Sequence, residues 1–134
     1  MGAGRGERVG VLLLAAGRGE RLGAAGPKAF VQLAGRTLLD HAVARLLAVP
    51  EIDLVQPVVP ADAVAGAGAS DARVAAAVEG GAERQDSVAA GLAALPEDVA
   101  WVGVHDAARC LVSPRDVQRT IGAARAHGAA ILAR

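Results

Sequence analysis

Residues 9–14, VGVLLL, form a near-continuous aliphatic run that leads through Ala15 and Ala16 into a glycine-rich loop. A strand with one wet face alternates apolar and polar residues, whereas a strand covered on both faces reads as an unbroken apolar run. The run therefore predicts a strand inside a parallel sheet, with the glycine loop at its carboxyl end.

The rest of the chain alternates in the same way. Leu38, Leu39, Ala42, Val43, Leu46 and Leu47 recur at helical spacing, with Thr37 as N-cap and Asp40 in the first turn. Residues 54–59 predict a second strand, in which Pro57 removes a ladder donor and points to an edge, a bulge or a shortened strand. Residues 61–67 predict a short helix and residues 73–78 a third strand. Val88, Leu92 and Leu95 mark a helix that begins near Arg84 or Gln85 and stops before Pro96. Residues 101–104 predict a fourth strand, Pro114 opens a helix reaching about Ala126, and residues 129–132 begin a fifth strand. Strands alternating with helices define an α/β, doubly wound, mostly parallel sheet, which binds ligands at the carboxyl ends of its strands. Three motifs fall at such ends, over residues 15–28, 80–87 and 105–109.

The first of these carries the clearest chemistry. Glycines let backbone N–H groups approach phosphate oxygens, and the loop adds Arg21 and Lys28 to neutralise them. Lys28 is the only lysine beside thirteen arginines. Plentiful Ala, Gly and Arg fit a GC-rich coding sequence, so the arginine bias is largely genomic and the retained lysine calls for a chemical reason. A compact ammonium and a planar guanidinium are not interchangeable at a tight site. A Walker A loop needs Ser or Thr after its lysine, and Ala29 stands there. The dinucleotide pattern is nearly met by Gly17, Gly19 and Gly23, but its last glycine falls one residue late and Pro27 opposes a helix running straight from the loop.

Net formal charge is zero, so no global field attracts nucleic acid or a membrane surface. The single cysteine, Cys110, excludes an internal disulfide and a cysteine-built zinc site. The length suits one domain, and no apolar run approaches the roughly 18 residues of a membrane span. Arg5 and Arg8 before the first apolar run loosely mimic a signal peptide, but cleavage there would fall inside the strongest motif. The expectation is a soluble, cytoplasmic protein with a flexible tail over residues 1–8.

The pattern Leu14-Ala15-Ala16-Gly17-x-Gly19-x-Arg21, with Pro27-Lys28-x-Phe30 and Gly35-x-Thr37-Leu38-Leu39, resembles nucleotidyltransferases that join a sugar phosphate to a nucleoside triphosphate. Two further motifs, Gly80-Gly81-x-Glu83-Arg84-x-Asp86-Ser87-Val88 and Val104-His105-Asp106-Ala107-Ala108-Arg109, narrow the resemblance to the 2-C-methyl-D-erythritol 4-phosphate cytidylyltransferases of the non-mevalonate isoprenoid route. The resemblance implies a Rossmann-like sheet, a homodimer, CTP and a polyol phosphate as substrates, and Mg2+ as cofactor. It places Ala15, Ala16, Gly17 and Gly19 against the nucleotide, Arg21 and Lys28 against the triphosphate, and Gly80, Gly81, Ala82 and Ser87 around the cytosine. Ala107 joins the nucleotide site and Asp106 becomes the metal ligand. A ribitol 5-phosphate cytidylyltransferase would share all three motifs, and a noncatalytic nucleotide-binding module is the rival from another class.

Plainer roles stand beside these. Arg21 and Lys28 could be solvated loop residues, Asp106 could cap a turn, and Asp86 suits a helix N-terminus on electrostatic grounds alone. Arg84 is balanced between a structural and a functional role. His105 and Arg109 read as supports of the site, His41 and His127 as surface or packing residues, and Trp101 as core. Cys110 stands where the family pattern has proline, which predicts a looser turn bearing a free thiol. Family members continue for roughly another hundred residues, so residues 9–134 read as the nucleotide-binding part of one domain whose C-terminal part, with most of the acceptor pocket, is absent.

Overall fold

A computed structural model describes residues 7–16, 30, 32–65 and 71–132. Strand β1 (Arg8–Leu14) is followed by a small hairpin, β2 (Gln32–Leu33) and β3 (Arg36–Thr37), and then by helix α1 (Leu38–Leu47). Next come β4 (Leu54–Val59), β5 (Val78–Glu79), α2 (Arg84–Ala94), β6 (Val99–Asp106) and α3 (Pro114–His127). The four longer-range strands pair in parallel in the order β5-β4-β1-β6. This is the doubly wound α/β sheet expected, and its topological switch lies between β1 and β6, where ligands bind in folds of this kind.

β1 explains its own position. Val9, Val11 and Leu13 point to the face covered by α1 and α3, while Leu12 and Leu14 point to the face covered by α2. Leu12 and Leu13 are both fully buried; burying a leucine side chain contributes about 1.5–3 kcal/mol. Both faces of the strand are thus dry, as the solid apolar run requires. α2 settles closely on its face because Gly91 lies where a Cβ would come within 2.9 Å of the Leu12 Cδ2 and 3.0 Å of the Val58 Cγ2.

The helix ends follow local chemistry. The Thr37 hydroxyl accepts from the Asp40 N–H at 3.0 Å, and Ser113 caps α3 through the Asp116 N–H with Pro114 in the first turn. Glu83 and Asp86 form a reciprocal capping box on α2. α3 closes on Gly128 at φ +90°, a left-handed conformation that glycine adopts without steric cost.

Four expectations are corrected. Of the outcomes that Pro57 left open, the edge and the shortened strand do not occur, since β4 is an interior strand of full length, while the bulge appears as a slipped register against the next segment. The buried Gln56 amide donates to the carbonyls of Pro57 at 3.0 Å and Ala76 at 2.9 Å, which ties the two segments where the proline has no N–H to offer. The third strand, expected over 73–78, is reduced to a bridge between Val55 and Val74 and the pair Val78–Glu79. The register against β4 slips by one residue between those two points, from Val55↔Val74 to Val59↔Glu79, and the ladder breaks across Pro57. The short helix after Pro60 is a single 3-10 turn, Ala61–Ala63, and the remainder of that expectation falls partly outside the described residues.

The fourth correction concerns residues 129–132, which are not a strand. Ile131 is 87% exposed and Leu132 51% exposed. With Ala130 they flank an apolar groove of about 390 Å³ between β6 and α3, near the sheet edge but without joining its ladder. β6 is consequently an edge among the described strands. Its Val102 and Val104, in register with Gly10 and Leu12, face the side of α2 but lie largely exposed, because α2 packs over β1, β4 and β5. Trp101 is only partly buried, and its indole N–H donates to the Glu7 carboxylate at 3.4 Å. Arg125 also donates to the Glu7 carbonyl at 3.1 Å, so Glu7 is tied to the body of the protein, and Arg8 already belongs to β1. The rest of the expected tail, residues 1–6, lies outside the described residues.

Candidate active site

The carboxyl ends of β1, β5 and β6 bring parts of all three motifs together. Ala15 follows β1, and its N–H donates to the Val58 carbonyl at 2.7 Å. It is 3% exposed, so it fixes the path of the chain into the loop, and the less buried Ala16 beyond it borders the site. Gly17, Gly19, Arg21 and Lys28 lie outside the described residues.

β5 is separated from β1 by β4, yet its following loop leans back over the end of β4 to reach Ala16. The Gly80 N–H donates to the Val59 carbonyl at 2.8 Å, and a Cβ at Gly80 would stand 2.6 Å from both the Ala16 Cβ and the Ser87 Oγ. At Gly81 a Cβ would overlap the Asp86 Cβ at 2.2 Å. Both contacts are far inside van der Waals range, so the two glycines are required by close approach, not by left-handed backbone. The Gly81 N–H donates to the Ser87 Oγ at 3.2 Å. Ser87, 3% exposed at the start of α2, therefore has one lone pair engaged and its hydroxyl proton free to orient. Backbone groups and one hydroxyl are suited to reading the edge of a planar base.

At the end of β6, the Ala107 N–H donates to the Leu14 carbonyl at 2.9 Å and its side chain is wholly buried. Ala107 thereby locks β6 to β1 at the switch point. Asp106, beside it, has a side chain 39% exposed, and its Oδ1 receives the Arg84 Nη2 at 3.3 Å. Sequence reasoning named both residues but gave no sign of this pairing, since nothing local joins positions 22 residues apart. Asp86 accepts from the Glu83 N–H, which makes its role the helix cap.

His105 supports the site as expected. Its Nε2 lies 3.1 Å from the Arg109 carbonyl, while the Arg109 N–H donates to the Asp106 carbonyl at 3.0 Å, so the turn after Asp106 is held twice. Cys110 does not loosen that turn or present its thiol; it is 4% exposed and belongs to the core. His41 likewise has a packing role, with Nε2 2.6 Å from the Leu33 carbonyl, tying the hairpin to α1.

Burial pushes the His105 imidazole below its ordinary 6.5, against the opposing pull of the Arg109 carbonyl and Asp106. The folded state therefore resists a proton that the unfolded chain accepts. Stability is unaffected by this group above about pH 6.5 and falls as pH drops from there toward the lower folded value. Denaturation midpoints at pH 7.5 and 5.5 should show a steeper decline for the native protein than for His105→Gln; equal declines would remove His105 from the account.

Could these residues hold a metal? Among the described residues no group of three or more His, Cys, Asp and Glu is placed to form a protein-only cage. A single accessible carboxylate at a strand end fits Mg2+ in the manner common for nucleotide enzymes, with the remaining ligands supplied by phosphates and water. Among the described residues no helix is long and apolar enough to cross a membrane.

A parallel sheet with close-packed glycine turns gathered at its carboxyl edge and an acidic strand end beside them is the architecture of a Rossmann-like nucleotidyltransferase. The family model of IspD, 2-C-methyl-D-erythritol 4-phosphate cytidylyltransferase, matches residues 9–134, and the chain belongs to that family. It is 46% identical to a bifunctional IspD/IspF enzyme of Bradyrhizobium over 93% of this chain and 33% of the relative. It is also 46% identical to a 2-C-methyl-D-erythritol 4-phosphate cytidylyltransferase of Nocardia farcinica, over 90% of this chain and 53% of the relative. The crystal structure of 4-diphosphocytidyl-2C-methyl-D-erythritol synthase from Anaerococcus prevotii superposes with a TM-score of 0.75 at 25% identity, covering 90% of this chain and 52% of the other. The chain thus spans about half the length of its single-function relatives and a third of the bifunctional ones.

Proposed function

We infer that the protein to which this sequence belongs transfers a cytidylyl group from CTP to 2-C-methyl-D-erythritol 4-phosphate, releasing pyrophosphate and forming 4-diphosphocytidyl-2-C-methyl-D-erythritol. The observation that carries this reading is the convergence of Ala16, Gly80 and Ser87 within a single Cβ's reach at the carboxyl edge of the sheet of an IspD-family chain.

The reaction needs no catalytic serine or histidine. The acceptor's phosphate oxygen is already anionic at neutral pH, and it attacks the α-phosphorus of CTP as the bond to pyrophosphate breaks. The obstacle is the meeting of two anions, which fixed cations relieve. Lys28 is assigned to the α-phosphate and Arg21 to the β- and γ-phosphates. Ser87 and the backbone of Gly80, Gly81 and Ala82 hold the cytosine, while Ala15 and Ala16 with Gly17 and Gly19 set the loop beneath the nucleotide. Asp106 would hold Mg2+, which supplies charge neutralisation of the triphosphate. Ala107 keeps that aspartate at the switch point. The family reading also carries a homodimer and a cytoplasmic setting.

Pyrophosphate release by a full-length enzyme bearing this sequence, assayed with each acceptor in turn, tests the proposal. Turnover of 2-C-methyl-D-erythritol 4-phosphate is expected; turnover of ribitol 5-phosphate alone would overturn it. CTP should bind in preference to ATP and NAD by calorimetry, and binding of NAD without CTP would restore the dinucleotide reading.

A further inference from the structure

Among the described residues, the base-side loop and the acidic strand end meet through an ion pair between Arg84 at the start of α2 and Asp106 at the end of β6. The helix does not need it. A guanidinium in the first turn is unfavourably placed in the helix dipole, and the capping box of Glu83 and Asp86 already satisfies that end. Nor does the pair add much to stability, since both side chains are well exposed, at 62% and 39%, and such pairs are weak. The Arg84 guanidinium nevertheless rests on Oδ1 of the carboxylate read as the ligand of a divalent ion.

We propose that Arg84 is the resident counter-ion of Asp106, a displaceable cation that holds the carboxylate until a divalent ion arrives on the nucleotide's phosphates. This rests on the reading of Asp106 as the metal ligand. A single carboxylate whose charge is already offset has little hold on a free ion. The same carboxylate completes a coordination shell that phosphates have mostly filled. Arg84 therefore makes the site load with the ion–nucleotide complex and discourages loading by the ion alone.

The test uses the 134-residue chain labelled with nitrogen-15 and Mn2+ without nucleotide, read as paramagnetic broadening of the Asp106 and Ala107 amide signals. Arg84→Gln should lower the Mn2+ concentration for half-broadening by about two- to five-fold, the scale of a lost exposed ion pair. Arg84→Lys, which keeps a cation, should stay near the native value. An unchanged or higher concentration for Arg84→Gln, with broadening still abolished by Asp106→Asn, would overturn the role of Arg84. Broadening that survives Asp106→Asn, or that is missing at these amides even in Arg84→Gln, would instead overturn the metal reading on which it rests.

Discussion

Lys28→Ala is expected to lower kcat by about 10²–10³-fold in a full-length enzyme, the usual loss when a fixed electrostatic contact to the transition state is removed. Lys28 lies outside the described residues, so chemistry and the family pattern assign its place. Negative charge crowds the α-phosphorus only as the acceptor's oxygen closes on it, so the ammonium acts on kcat more than on CTP affinity. CTP binding should weaken by less than about tenfold, because Arg21, the glycine loop and the base contacts remain. Lys28→Arg should recover little, since a planar fork cannot occupy the place of a compact charge. Steady-state pyrophosphate release and calorimetric CTP binding, measured on the same preparation, separate the two terms. Near-native turnover of Lys28→Ala would defeat the electrostatic mechanism.

Gly80→Ala should be nearly as severe for a different reason. The added methyl would sit 2.6 Å from the Ala16 Cβ and the Ser87 Oγ, and 3.1 Å from the Val58 Cγ1. None of these neighbours is the far end of a long side chain that could swing aside, so the loop after β5 must move away from β1. Overpacking of this kind costs about 1–3 kcal/mol. The same shift pulls Gly80 and Ser87 away from Ala16, and CTP affinity should fall by at least about tenfold, one hydrogen bond's worth. Thermal unfolding and CTP calorimetry read the two effects separately. Native CTP affinity in Gly80→Ala would show that the base is not held there.

How much of this could be read from the chain before folding is clear at particular positions. The run ending at Leu14 announced a two-sided buried strand because each of its residues is apolar, and burial on both faces leaves no room for alternation. Thr37, Ser113 and Pro114 marked helix starts because capping is decided within three or four residues. β6 ran longer than expected, from Val99 to Asp106, because its pairing with β1 extends from Arg8 to Leu14, and pairing is not written in local sequence. The strand expected over 129–132 failed because an apolar run becomes a strand only with a partner, and pairing is not a local property. Pro57 pointed correctly to an irregular ladder but not to its place inside the sheet: its missing donor is made good by Gln56, through a contact with Ala76 that sequence spacing cannot reveal.

The candidate site divides along the same line. By itself the sequence determined the chemistry available: a glycine loop with one lysine, a Gly-Gly turn leading to Ser87, and an aspartate after an apolar strand. Those are matters of residue type and near neighbours. The tertiary structure alone decided that the loop after β5 crosses the end of β4 to meet Ala16, and that Arg84 rests on Asp106. Both depend on strand order and on distances between segments remote in the chain, which are set by how the two faces of the sheet are covered and not by any local preference.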